Sequence, residues 1–203
     1  MKLTYFADET ASESMAPGGG SISAYVGSLG ASLASMVANL SSHKRGWDDR
    51  WEEFSAYAEK AQFYKDELMK MVDLDTQSFN AIMDAFALPK GTEEEKAARK
   101  KAVAAATKFA IEVPFRVMQL AADSMEVIKA MVEKGNPNSI TDAGVGALCA
   151  RACVMGAFMN VRVNCKGFDD KTFVEEIIAK GKTLEEKTLK AEAEIVALVN
   201  KAI

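Results

Sequence analysis

Histidine is almost missing from this sequence: His43 stands alone, and the only cysteines are Cys149, Cys153 and Cys165. Three cysteines cannot build a disulfide framework, and no Cys/His cluster has zinc-ligand spacing, so no metal is expected. Free thiols in an Ala-rich run fit a reducing, cytoplasmic setting. Proline is scarce as well, with four residues, so few elements are interrupted. Aromatics make up 8%. A sandwich or barrel would draw on more aromatic and β-branched residues than that. Excess positive charge is also lacking: the net charge is −4 and the pI about 5.2. Non-specific binding to nucleic acid or to an anionic membrane is therefore not expected. The opening MKLTYFADETASES carries three acids and no apolar core, unlike a signal peptide.

Charge is absent altogether from Ser14 to Ser42, and Ile22–Leu40 is long enough to span a bilayer. Ser23, Gly27, Ser28, Gly30, Ser32 and Ser35 dilute that run, which reads as a buried helix of a soluble protein, with no membrane partner. What the sequence has in abundance is alanine, methionine and helical period. With 49% hydrophobic and 27% charged residues over 203 positions, residues 1–203 read as one helical domain.

Punctuation divides that domain into five long helices. Pro17-Gly18-Gly19-Gly20 turns into the first, about Ser21–Ser42. A charged amphipathic stretch follows from about Asp48 to Leu88, ended by Pro89-Lys90-Gly91. Thr92 with Glu95 is a capping box for the third helix, to about Lys134, which Pro114 should kink or break locally. Gly135-Asn136-Pro137 stops it, and Asn138 or Ser139 caps a fourth helix over about Ile140–Cys165. Asp169 or Asp170 opens the last. The fold class is all-α, an up-and-down bundle of about five long helices. Small-residue stripes at Ser23, Gly27, Ala31 and Ser35, and at Gly146, Cys149, Cys153 and Gly156, are suited to close helix contact, and a homodimer is expected from them.

Four places could carry chemistry. Pro17, Gly18, Gly19, Gly20 and Ser21 form either a plain turn or a bare-backbone cradle for a flat ligand at a helix start. In Val72-Asp73-Leu74-Asp75, Asp73 shares a polar face with Lys70, Gln77 and Asp84. Asp75 shares an apolar one with Leu68, Met71, Phe79, Ile82 and Phe86. A carboxylate there is a buried structural group or a general acid or base with a raised pKa. On the fourth helix, Asp142, Asn160 and Asn164 follow one stripe. Asp142 is either a first-turn acid suited to the helix dipole or a second catalytic carboxylate. Lys44 and Arg45, beside a surface His43, are either a solvated helix end or a patch for substrate carboxylates.

Four motifs together resemble the formiminotetrahydrofolate cyclodeaminase and methenyltetrahydrofolate cyclohydrolase family. They are Ala16-Pro17-Gly18-Gly19-Gly20-Ser21 with Met36-Val37-Ala38-Asn39-Leu40; Met71 to Phe79 leading to Leu88-Pro89-Lys90; Asn138-Ser139-Ile140-Thr141-Asp142; and Gly156 to Asn164. The resemblance covers nearly the whole chain. It implies an all-α homodimer or larger assembly that binds a reduced folate among its helices and needs no metal or redox cofactor. The first activity it implies is cyclisation of 5-formiminotetrahydrofolate to 5,10-methenyltetrahydrofolate with loss of ammonia, a separate formiminotransferase acting beforehand. Hydrolysis of 5,10-methenyltetrahydrofolate, or folate binding without turnover, are the alternatives. Under this resemblance Asp75 and Asp142 are the catalytic candidates. Pro17 to Ser21, Lys44, Arg45, Asn160 and Asn164 are the substrate-binding ones. Ser42-His43-Lys44-Arg45-Gly46-Trp47 departs from the basic-aromatic segment of the vertebrate cyclodeaminases.

Overall fold

The computed structural model describes residues 2–203, and among them there is no strand. Six helices appear: α1 (Leu3–Thr10), α2 (Gly19–Ser42), α3 (Trp51–Ala87), α4 (Glu93–Lys134), α5 (Ile140–Asn164) and α6 (Lys171–Ala202). The five long ones are those expected. The sixth, α1, has eight residues and buries none of them, too few turns to write a period into the sequence. It is held by Phe6 against Tyr25, ring centroids 5.4 Å apart.

The caps explain where the helices begin. Thr92 and Glu95 make the reciprocal capping box at α4. Asp170 accepts from the Phe173 N–H at 3.0 Å and opens α6. At α5 the expected cap is displaced: a 3₁₀ turn over Pro137–Ser139 comes first, and Asn136, not Asn138 or Ser139, supplies the capping oxygen. The break expected at Pro114 does not occur, for α4 runs unbroken through it. Its flanks Val113, Val117 and Met118 are buried, so packing holds the helix across the missing hydrogen bond.

The two small-residue stripes lie against each other. Helices α2 and α5 are antiparallel, with Gly19 beside Asn160, Gly27 against Cys153, and Gly30 on the backbone of Gly146. A Cβ on Gly27 would sit 2.6 Å from the Cys153 sulfur. Each stripe is therefore buried within one protomer, and neither supports a dimer as expected. Both helices are long and apolar enough to cross a membrane by length and composition, with mean hydropathy 1.3 and 1.4. They stand instead at the centre of the bundle, α3 packing on α2, α4 on α3 and α5, and α6 on α5 and α4. One core cluster gathers Leu68, Ile111 and Phe158, and another Phe54, Ile128 and Ile195. The antiparallel pairing has a functional consequence: it brings the start of α2 to the end of α5.

Candidate functional site

At that end, Gly18, Gly19 and Gly20 of the turn meet Asp75 of α3, Ala110 of α4, and Asn160 and Asn164 of α5 around a cavity of about 200 Å³. Phe79 and Ile82 supply its apolar wall. Asp75 thus faces inward, as its position on the α3 face predicts, while Asp73 is exposed. Ser21 Oγ donates to Asp75 Oδ2 at 2.9 Å, and the Ser21 backbone also bonds the carboxylate. Thr76 Oγ1 lies 3.3 Å from the same hydroxyl. Burial pushes the Asp75 carboxyl above its ordinary range, and the bonds from Ser21 at the α2 N-terminus offset only part of that. Among the described residues no lysine or arginine pairs with it. A desolvated carboxyl at the edge of a cavity, without a fixed cation, suits proton transfer or contact with a cationic ligand.

The glycine that matters most is Gly20. A Cβ there would come within 2.6 Å of Asp75 Cγ, so any side chain would displace the carboxylate. At Gly19 the same atom would make ordinary contact with Asn160 Nδ2 at 3.5 Å, and at Gly18 it would meet nothing. Pro17 does not line the cavity, and Ser21 acts through Asp75.

Asp142, Lys44 and Arg45 lie elsewhere in the protomer. Asp142 occupies the first turn of α5. That is roughly 27 Å from Asn160 at 1.5 Å per residue. Lys44 follows the far end of α2, with Nζ 4.0 Å over the Trp47 ring, and Arg45 is exposed beside it. Cys153 is buried against Gly27, and burial pushes its thiol up to about 12. That thiol is inert at neutral pH.

Sequence reasoning missed a second feature, a cleft of about 750 Å³ lined by Phe86, Lys90, Lys96, Arg99, Lys100, Lys166, Asp169 and Asp170. It lies next to the first cavity along the same helices. Phe86 follows Phe79 and Ile82 on one face of α3, Thr107 of its wall lies one turn before Ala110, and Lys166 follows Asn164. Lys96 is paired with Glu93 at 2.7 Å, and Arg99 donates to the Phe86 carbonyl at 3.0 Å. The run Lys90 to Lys101 was the available signal, though a charged helix start ordinarily reads as solvated surface.

Residues 2–183 match the family model described as formiminotransferase-cyclodeaminase. The chain belongs to that family. A methenyltetrahydrofolate cyclohydrolase of Methylorubrum extorquens is 40% identical over 171 residues, 84% of this chain and 82% of the relative. The formimidoyltransferase-cyclodeaminase of Gallus gallus is 34% identical over 98% of this chain, which spans 37% of that longer protein. The crystal structure of formiminotetrahydrofolate cyclodeaminase from Thermotoga maritima superposes with a TM-score of 0.87 at 25% identity, covering 99% of this chain and 96% of that one. The all-α fold and membership of a family of folate one-carbon enzymes, cyclodeaminase or cyclohydrolase, follow together. Of the motifs that carried the resemblance, the glycine turn, the Asp75–Phe79 segment and the Asn160–Asn164 segment meet at the Asp75 cavity, whereas Met36–Leu40, Leu88–Lys90 and Asn138–Asp142 lie away from it.

Proposed function

We propose that this chain is a 5,10-methenyltetrahydrofolate cyclohydrolase whose proton-transfer group is Asp75. The observation that carries the chemistry is the half-buried carboxyl facing the glycine turn without a cationic partner. The preference for hydrolysis rests on the Methylorubrum relative, the more similar of the two sequences and one of comparable length. The methenyl bridge is a cation shared between N5 and N10, and a neighbouring carboxylate stabilises it. Asp75 takes a proton from water as its oxygen bonds the bridge carbon. The carbon–N5 bond then breaks, N5 takes up a proton, and 10-formyltetrahydrofolate leaves with one net proton released to solvent. The two asparagines and the bare turn hold the ring system.

Cyclodeamination is the second reading, supported by the likeness to the Thermotoga enzyme. There N10 attacks the formimino carbon on N5 and the nitrogen departs as ammonia, so the same carboxyl must deliver a proton. Purified protein assayed with 5,10-methenyltetrahydrofolate and with 5-formiminotetrahydrofolate separates the two, since the methenyl chromophore disappears in one and appears in the other. Formation of the chromophore without catalysed loss would transfer the assignment to cyclodeamination, with a separate formiminotransferase as the supplier.

The basic cleft takes the role expected of Lys44 and Arg45. Five cationic side chains face two aspartates in a cleft next to the Asp75 cavity, and they suit the carboxylates of the folate glutamyl tail. Neither Lys90 nor Lys166 has an acidic partner among the described residues. Lys90→Ala/Lys166→Ala is expected to raise KM about 10-fold with kcat within about 2-fold, because a uniform binding contact is lost. An unchanged KM would remove the tail from this cleft.

A homodimer is also proposed, on a different surface from the one the sequence suggested. Leu29, Met36 and Leu40 of α2 and Val145, Leu148 and Met159 of α5 remain exposed, Leu40 by 47% and Met159 by 57%. Adjacent helices that present such a face fit a second copy of the chain. Light scattering at micromolar concentration should give twice the monomer mass, and a monomer would contradict the assignment.

A further inference from the structure

An α-helical carbonyl normally accepts from the N–H four residues on. For Ala110 that residue is Pro114, which has no N–H to give. The carbonyl is thus left open inside a continuous helix, at a residue only 3% exposed. Asn164, at the end of α5, fills the vacancy: its Nδ2 donates to the Ala110 oxygen at 2.7 Å. Both residues line the Asp75 cavity.

The chemistry of the bond fixes the orientation of the amide. A carbonyl can only accept, so the nitrogen of Asn164 must face it and the oxygen must turn away. That oxygen accepts no hydrogen bond among the described residues, nor is it sealed from solvent. Asn160 commits its own Nδ2 to the Gly156 carbonyl at 3.0 Å, an arrangement local to α5 that requires nothing from α4. Asn164 differs because the Ala110 carbonyl has no i+4 helical N–H, so the Asn164 amide stands in for the missing helical donor, whereas the Gly156 carbonyl already has the helical N–H of Asn160.

We propose that Pro114 is a positioning residue for the substrate. By withholding an N–H from Ala110, it holds Asn164 with its amide oxygen presented to the cavity as an acceptor for a ring N–H. The reduced pterin of a folate carries such donors, so the identity of the ligand rests on the reading above, while the Pro114–Ala110–Asn164 linkage does not. Pro114→Ala would close the helical bond, so that the Ala110 carbonyl no longer depends on Asn164 and the amide is no longer held in one orientation.

A cycle of wild type, Pro114→Ala, Asn164→Ala and the double variant tests this by thermal unfolding and by kinetics with 5,10-methenyltetrahydrofolate. Asn164→Ala orphans a buried carbonyl and should lower Tm by about 3 °C. The double variant should recover that loss, because the new N–H at 114 satisfies Ala110. Pro114→Ala alone should keep Tm at or above wild type yet raise KM about 10-fold with kcat changed less than about 2-fold. The double variant should match the KM of Asn164→Ala. Strictly additive Tm shifts, or an unchanged KM in Pro114→Ala, would overturn the proposal. If wild type neither binds nor turns over a reduced folate, the folate reading falls, and the linkage is decided by the Tm cycle.

Discussion

Replacing Asp75 by asparagine is expected to lower turnover of 5,10-methenyltetrahydrofolate about 10²-fold or more, with KM changed little. Asparagine keeps the shape of the side chain and an oxygen to accept from Ser21, but cannot take a proton from water. Asp73→Asn, two residues away on the exposed face, should leave the rate within about 2-fold. Equal losses in the two variants would defeat the helical-face argument. The pH dependence follows from the same group. Asp75 must be ionised to act as a base, and burial raises its pKa above that of an ordinary aspartate. The acidic limb of kcat/KM should therefore lie above the range of an ordinary aspartate.

Stability should move the other way. A carboxyl whose folded pKa is raised contributes stability that is fully present below its unfolded pKa and lost as pH rises through the folded value. At pH 7 the wild type therefore bears the cost of a desolvated charge that asparagine avoids. Asp75→Asn is expected to unfold at or above the wild-type Tm at pH 7, with the difference disappearing as pH falls below about 4. An inactive variant of greater stability would mark Asp75 as a group retained for function. A large fall in Tm would mark it as structural.

The second large effect is expected at Gly30. A Cβ at this position would lie 2.8 Å from the Gly146 carbonyl and 3.1 Å from the Cys149 Cβ. The first obstacle is backbone, which no rotamer change can clear, so α2 and α5 would have to separate. Gly30→Ala gains helix propensity of about 1 kcal/mol. Overpacking this contact should cost about 3 kcal/mol or more, and the net sign is destabilising. Because the same two helices bring the glycine turn to Asn160 and Asn164, the variant should lose folate affinity along with stability. Urea unfolding followed by circular dichroism measures the first effect. A midpoint equal to that of wild type would show that the helices are not in such close contact.

Much of this arrangement was legible in the sequence because it is written at short range. The period of α3 placed Asp75 among Met71, Phe79 and Ile82, and the Thr92–Glu95 box fixed the start of α4. Glycine spacing marked α2 and α5 as close-packing helices. Which surfaces those stripes would meet was not legible, since pairing within a protomer and pairing between protomers need the same small residues. Lys44 and Arg45 stand next to α2 in sequence but at the end away from Gly20. A helix of 24 residues separates them from the site, about 36 Å at the usual rise. The basic cleft required α3, α4 and the turn before α6 to converge, and no local pattern announces that. A proline inside a helical period signals a disruption, whereas here it leaves the Ala110 carbonyl to Asn164, 54 residues away in the chain.

The central claim is that the one-carbon bridge of the folate sits against Asp75 between the glycine turn and the two asparagines. Crystals of the Asp75→Asn protein soaked with 5,10-methenyltetrahydrofolate test it most directly. The account predicts the bridge carbon within about 3.5 Å of the side chain at position 75, with the glutamyl carboxylates directed toward Lys90 and Lys166. A folate bound instead near Asp142, or beside Lys44 and Arg45, would contradict it.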